Sequence, residues 1–490
     1  MKQVRGKGLG VRESGIIGLV GMAMLLASVT TVYAGDLSLA DPRAMAFKPV
    51  EFSPPEPERV VLDNGMVLYL LEDHELPLVS ITATMRTGSW LDPTDKIGLA
   101  GMTGAVMRTG GGGGLSAEQV DAELEQFAAD VSIGIGRQSG SASLDVLSKD
   151  VNRGLEIFAG LIRTPAFDPA RVELVKLQAM EGIRRRQDNP GSIVGREFAK
   201  MLYGAAHPSA RESSLDSVTR ITRDDLVTFH HNTIHPNGMI LGVTGDFKRD
   251  EMVASLRTVF GNWKKGTVPE LKIVDVPEAE LSRPVVRFVG KETSQTHLRV
   301  GHLSIKENDS DYVALAIAND ILGGSSFRSR LFNDVRTKRG LAYSVGSRLN
   351  TGMHDQGVWL MRAETKLTST QEVIERFVAN IERIRAELVT DAELAEAKEA
   401  YVNSFVFSFA SPSAIVSRLV ELEYDGLPKD FLQQLRAKVV RLTKEDVLAA
   451  AKKHLRPDQL KIVAVGSGEA LPKALSTFGE VKEITLSPEG

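Results

Sequence analysis

The sequence predicts an α+β protein made of two similar domains in tandem, with antiparallel-rich sheets flanked by helices. Three observations carry this. The chain repeats itself once at an offset of 221 residues: Ile221-Thr222-Arg223-Asp224-Asp225-Leu226 matches Leu442-Thr443-Lys444-Glu445-Asp446-Val447, and the same offset pairs Pro236 with Pro457, Asn237 with Asp458 and Gly245 with Gly466. One pair of long units means two domains, not a solenoid, which needs several short ones. Strand-like runs and amphipathic helices both occur without strict alternation, which argues against a doubly wound parallel sheet. A content of 42% hydrophobic and 25% charged residues is that of a globular chain with real cores.

The elements follow in order. Lys2, Arg5, Lys7 and Arg12 form a basic leader, Gly15 to Val32 is apolar and uncharged, and Val32-Tyr33-Ala34 fits a small-x-small cleavage site. Residues 1–34 therefore read as a signal peptide with a mature start at Gly35. The 18-residue apolar run is at the lower edge of membrane-spanning length, so an uncleaved anchor is the alternative. Either way the body lies outside the cytoplasm, in the periplasm or secreted, and nothing after residue 35 is long and apolar enough to span a membrane.

The first domain is expected over 50–262 and the second over 284–480, joined by a linker at 263–283 that carries Lys264, Lys265, Gly266, Pro269 and Pro277. Val60 to Leu70 reads as a hairpin about Asn64-Gly65, and Leu78 to Met85 as a strand. Apolar spacing predicts helices over Ala117 to Ala129, Asp150 to Arg163, Gln371 to Leu388 and Asp391 to Phe407. Thr222 and Thr443 are good N-caps with acidic residues in the first turn. Each capped helix leads to a proline stop and a strand, Met239 to Val243 and Leu460 to Ala464.

Several chemistries are excluded. A net charge of −4 leaves no electrostatic case for nucleic acid. Without cysteine there are no disulfides, thiolate metal sites or cysteine nucleophile. There is no G-x-S-x-G elbow. His231 and His235 have metal-like spacing beside His230, but they fall at a helix C-terminus, where imidazoles suit the dipole, and their repeat equivalents are Lys452 and Arg456. The remaining histidines read as isolated.

Gly98, Gly101 and Gly104 recur every third residue in an expected helix, where each costs about 1 kcal/mol relative to alanine. The simpler and favoured reading is sequence relaxed after loss of function. The other is a smooth face that admits a second backbone. Gly110 to Gly114 then reads as a flexible loop, without the lysine that a phosphate loop requires.

These residues carry a family resemblance. Gly98-Leu99-Ala100-Gly101-Met102-Thr103-Gly104-Ala105 resembles the zinc helix of the M16 (pitrilysin, inverted-zincin) peptidases, where Gly-Leu-Ala precedes H-x-x-E-H. The two histidine positions hold Gly101 and Ala105 and the glutamate position holds Gly104. The third family ligand, a glutamate on a second helix, falls on Gly182 in Met180-Glu181-Gly182-Ile183-Arg184; Glu181 is one residue off, about 100° around the helix. Further on, Leu322-Gly323-Gly324-Ser325-Ser326-Phe327 and Arg336-Thr337-Lys338-Arg339-Gly340-Leu341-Ala342-Tyr343 resemble the family's Arg/Tyr segment. Locally this reads as a Gly-Ser loop, a helix with Leu331, Phe332 and Val335 on its apolar side, and a strand with Leu341, Tyr343 and Val345 on one face.

The resemblance covers roughly residues 50 to 480 and includes the duplication. It implies two M16-type, LuxS/metallohydrolase-like domains and an M16B-type subunit that binds no metal itself. Zinc is then expected in a partner subunit carrying H-x-x-E-H, in a heterodimer or higher assembly closed around a polar chamber. Arg336 and Tyr343 would steady the substrate carbonyl in trans, Gly323, Gly324, Ser325 and Ser326 would line the substrate, and the substrate would be a peptide or an unfolded protein. The resemblance also admits a peptide-binding chaperone that cuts nothing, or a scaffold subunit of a larger complex.

Overall fold

Asn64-Gly65 closes a hairpin between β1 (Glu58–Val61) and β2 (Val67–Glu72), with Gly65 at φ +84° and the buried Asn64 amide donating to the Phe260 carbonyl at 2.7 Å. The computed structural model describes residues 55–487 apart from 274, 277–282, 408 and 469, so the expected signal segment 1–34 and parts of the linker lie outside the described residues.

The first half continues with β3 (Leu78–Met85), α1 (Leu99–Thr109), α2 (Ala117–Gln126), β4 (Asp130–Ile135) and β5 (Gly140–Leu147). Then come α3 (Val151–Arg163), α4 (Pro169–Arg185), α5 (Pro190–Tyr203), α6 (Leu215–Arg220), α7 (Arg223–Thr233), β6 (Met239–Gly245) and α8 (Arg249–Phe260). Its sheet has the order β1-β2-β6-β3-β5-β4, with β2–β6 parallel and the other pairings antiparallel.

The second half holds β7 (Val285–Gly290), β8 (Thr296–Leu303), α9 (Tyr312–Asn319), β9 (Ala342–Asn350), β10 (Val358–Thr365), α10 (Thr370–Ala386) and α11 (Asp391–Phe407). It ends with α12 (Pro412–Asp425), α13 (Phe431–Arg441), α14 (Lys444–His454), β11 (Lys461–Gly466), α15 (Ala470–Leu475) and β12 (Val481–Glu483). The sheet order is β12-β7-β11-β8-β10-β9, parallel across β12–β7–β11 and antiparallel elsewhere.

The repeat is visible atom by atom. The Thr222 hydroxyl accepts from the Asp225 N–H at 3.3 Å while the Asp225 carboxylate accepts from the Thr222 N–H at 2.8 Å; Thr443 and Asp446 do the same at 3.1 and 2.9 Å. These reciprocal caps start α7 and α14, and each leads to a buried inner strand, β6 or β11.

Each half has its own large core. The outer faces are exchanged. Helix α5 of the first half packs Ile193, Val194, Phe198 and Leu202 against Val289, Leu303, Leu360, Val463 and Val465 of the second sheet. Helix α12 of the second half packs Val416 and Val420 against Tyr69 and Ile240 of the first. A Cβ at Gly242 would lie 2.5 Å from Val416 Cγ1, so β6 needs glycine where α12 crosses. The two helices are equivalent in the repeat: both begin with proline after a side-chain cap, Asn189 or Ser411. Full burial of each large apolar side chain is worth about 1.5–3 kcal/mol, so the exchange ties the halves together.

Candidate functional site

Helix α1 begins at Gly98, whose φ of +110° requires glycine, and Asp92 caps it by accepting from the Gly98 and Ala100 N–H groups at 2.8 and 2.9 Å. Burial pushes the Asp92 carboxyl up to about 6 against those hydrogen bonds. Helix α1 packs against α4, so the helices carrying Gly101, Gly104 and Ala105 and carrying Gly182 are neighbours. None of the four positions offers a donor atom, so these residues do not fit a zinc ion. Glu181 is exposed and lies 3.8 Å from Arg184.

The glycines of this site are not equivalent. At Gly101 and Gly182 an added Cβ would meet nothing within 4 Å. At Gly104 it would lie 2.7 Å from the Ile135 nitrogen and 3.1 Å from the Gly134 Cα of β4. The favoured expectation of relaxed sequence therefore fails at Gly104, where close backbone approach decides, and at Gly98, where φ decides. The loop Gly110 to Gly114, expected to be flexible, is pinned: Gly112 bridges Leu115 and Pro165, and a Cβ at Gly113 would lie 3.0 Å from Gly160 of α3.

The Arg/Tyr segment is built differently from its expectation. The predicted helix is wound as a π-helical stretch, Phe332–Lys338, and the start of the expected Gly-Ser loop closes a second one, Asp320–Gly324, a geometry frequent at functional sites. Tyr343 does not share a face with Val345. The β9–β10 register slips between Glu364 and Thr365, where the partners change from Ser344 to Ala342. Ala342 takes the core position and Tyr343 is turned outward, 76% exposed.

Arg336 comes to meet it. Its guanidinium carbon lies 4.7 Å from the ring centres of Tyr343 and Phe332 and 5.9 Å from that of Phe327. Phe327, 73% exposed, stands edge-on to Phe332 at 4.8 Å. Among the described residues the Arg336 side chain has no hydrogen bond or ion pair. Its neighbours in the segment are committed. Arg330, buried, makes a bidentate pair with Glu393 at 2.7 and 2.8 Å, which holds the Glu393 carboxyl down to about 2. Burial by itself would push the Asp334 carboxyl up, but hydrogen bonds from Arg376, Asn380 and Arg339 hold it below the usual carboxylate range. These pairs fix the turn while leaving Arg336 open.

The expected substrate loop divides. Gly323 and Gly324 are pressed against Ser347 and Asn319, where a Cβ would lie 2.6 and 2.9 Å from its nearest atom. They line a cleft with Ser326, Arg299, Arg348 and Arg362. Ser325 instead donates to the Asp320 carbonyl at 3.0 Å and faces a small pocket with Arg328 and Glu393. The sequence reading missed Phe327 and Phe332 as the clasp on Arg336, although both sit in the quoted motif. It also missed Asn319, which accepts from Ser347 Oγ at 2.8 Å and Trp359 Nε1 at 3.0 Å and so ties α9 to β9 and β10.

No hydrogen bond, ion pair or ring contact among the described residues joins the Arg336–Tyr343 pair to Gly101 or Gly182. His230, expected among surface imidazoles, is half-buried, with Nε2 2.7 Å from the Ile162 carbonyl. His454, read as isolated, groups with Asp309 and Asp311; Asp311 already binds Lys453 and His454 at 2.7 and 2.8 Å, an ion-pair network. No helix among the described residues is long and apolar enough to cross a membrane.

Comparisons with known proteins show likenesses of sequence and fold. The family described as Peptidase M16 inactive domain matches residues 220–401. A protein of Bacillus subtilis named uncharacterized zinc protease YmxG is 24% identical over 74% of this chain and 86% of its own. A Helicobacter pylori protein named non-peptidase homolog YmxG is 25% identical over 81% and 90%. The structure of a peptidase M16 inactive domain from Pseudomonas fluorescens superposes with a TM-score of 0.74 at 28% identity, covering 84% of this chain and 98% of that one. The periplasmic protease PqqL of Escherichia coli superposes with a TM-score of 0.71 at 14% identity over 91% of this chain and 50% of its own, a likeness of fold. The chain is thus similar to M16 peptidase-family proteins, in sequence over residues 220–401 and in its α+β fold over most of its length.

Proposed function

We propose that the chain is the metal-free, Arg/Tyr-bearing subunit of a two-subunit M16 peptidase. One observation carries this reading: Arg336 is held between aromatic rings with no anion partner among the described residues, beside a tyrosine turned outward by a β-bulge. A clasped guanidinium keeps its N–H groups free, and the stack lowers the cost of holding it in place. Two such donors, fixed before the substrate arrives, suit a peptide carbonyl whose oxygen gains charge as the bond is attacked.

The cutting metal site would belong to a partner with H-x-x-E-H. This chain would bind the peptide, orient its carbonyl and donate hydrogen bonds from Arg336 and Tyr343. A location outside the cytoplasm is supported by the basic-then-apolar leader and by the likeness in fold to a periplasmic protease. A second reading, a subunit that holds peptides without cutting them, is favoured by the Helicobacter pylori relative, which is named a non-peptidase homolog.

The test uses the purified chain and the H-x-x-E-H subunit from the same host. The chain alone should cleave no peptide, and the mixture should. Arg336→Ala and Tyr343→Phe should lower turnover while size-exclusion chromatography shows the assembly intact. Full turnover in both variants would remove the assigned role. A mixture that binds peptide and never cuts it would favour the second reading.

A further inference from the structure

Three cavities of about 200, 220 and 230 Å³ adjoin on the face of the second sheet beside α5, and Arg299 lines all three. Arg362 lines two of them, and Arg348 joins it in the largest. Arg362 lies directly opposite Arg299 in the β8–β10 ladder, and Arg348 lies opposite Leu360, the next residue on the same face of β10. Like charges placed opposite each other on a sheet destabilise it. Burial, then the charge of Arg362, holds the Arg299 guanidinium below its ordinary value.

Among the described residues none of the three arginine side chains makes a hydrogen bond or an ion pair. The carboxylates stand at the ends of the cleft and are otherwise engaged. Glu364 lies 3.8 Å from His297, and Asp355 accepts from Ser209 at 2.8 Å with Arg137 at 3.8 Å. The middle cavity has no carboxylate in its wall. Three guanidinium groups gathered without an anion describe half of a binding site.

We propose that this cleft binds an acidic peptide segment, whose carboxylates sit between Arg299, Arg348 and Arg362. This rests on the reading of the chain as a peptide-binding M16 subunit and names the substrate chemistry. Shape favours an extended chain over a compact anion. Ser344, Gly346, Arg348 and Asn350, alternate residues of β9, all line the connected cavities. At about 3.3 Å per residue they span roughly 20 Å, the length of a six-residue strand. Ser344 adjoins Tyr343, so a peptide lying there runs away from the Arg336–Tyr343 pair. Arginine forks bind carboxylates in a bidentate manner that glutamine cannot receive as strongly.

The test is fluorescence anisotropy on the full-length protein with a labelled peptide bearing four glutamates, its glutamine counterpart, and inorganic pyrophosphate as competitor. The glutamate peptide should bind at least tenfold more tightly, and added salt should weaken it. The double variant Arg348→Gln/Arg362→Gln, both exposed residues, should erase the preference with an unchanged melting temperature. Equal affinity for both peptides, or a preference that survives the double variant, overturns the proposal. So does pyrophosphate binding that depends on the arginines while neither peptide competes. Equal binding of both peptides that is lost in Tyr343→Ala would sink the acidic site alone and leave the Arg336–Tyr343 reading standing. Binding of neither peptide would sink both.

Discussion

Helix α1 of the first half and the Phe332–Lys338 stretch of the second carry the motifs of the two domains, and they have been kept in opposite ways. On α1 the positions expected to hold metal ligands are bare: Gly101, Ala105 and, on the neighbouring α4, Gly182. The helix itself is sound, capped by Asp92 and packed on β4. On the second stretch two charged pairs anchor the turn around Arg336, Arg330 on Glu393 and Arg339 on Asp334. The fold tolerates loss of chemistry on one helix while the other keeps a costly π-helical turn, an exposed phenylalanine and an exposed tyrosine. Packing alone asks for none of those three.

The comparison can be broken at its strongest point first. Glu393→Ala should destabilise the protein by about 3–5 kcal/mol, because the Arg330 guanidinium is left buried without its carboxylate. The same pair sets a pH dependence. Glu393 is held down to about 2 in the fold against about 4.3 for a free glutamate. Its contribution is therefore complete above the free value and is lost as pH falls from there through about 2. Urea unfolding between pH 6 and 2 should show this slope in the parent chain and a shallower one in Glu393→Gln.

Next is Arg336→Ala, which should lower turnover of the proposed two-subunit assembly by about 100-fold, the usual loss for one oxyanion donor, with unchanged stability. Stability lost instead of turnover would make Arg336 a structural residue. Third is Gly104→Ala, which should cost about 1–3 kcal/mol by forcing β4 away from α1. Smallest are Gly101→Ala and Gly182→Ala, each expected to stabilise by about 0.5–1 kcal/mol because the positions are open and helical. Chemical denaturation of all three alanine variants would check the glycine argument, and equal signs at Gly101 and Gly104 would refute it.

Much of this was legible in the residues. The 221-residue offset foretold that α7 and α14 would share one capping box, since a Thr-x-x-Asp pair acts through three local bonds and needs no distant partner. Asn64-Gly65 likewise specified its hairpin locally. Tyr343 was misplaced because strict alternation says nothing about a bulge, which arises from pairing with β10. Gly104 was misjudged because a glycine that spares a helix face and one that admits a strand look the same in sequence. Arg299, Arg348 and Arg362 are spread over 64 residues, and nothing local marks them as one group.

The sequence by itself determined the duplicated α+β plan, the capped repeat helices and the absence of metal donors at Gly101, Gly104, Ala105 and Gly182, because those properties belong to single residues or to neighbours along the chain. Only the tertiary structure decided that α5 and α12 cross to each other's sheets, that Tyr343 faces out to meet Arg336, and that three arginines share one cleft. Each of those depends on contacts between segments far apart in the chain, where the favourable energy comes from surfaces that exist only once both partners are folded.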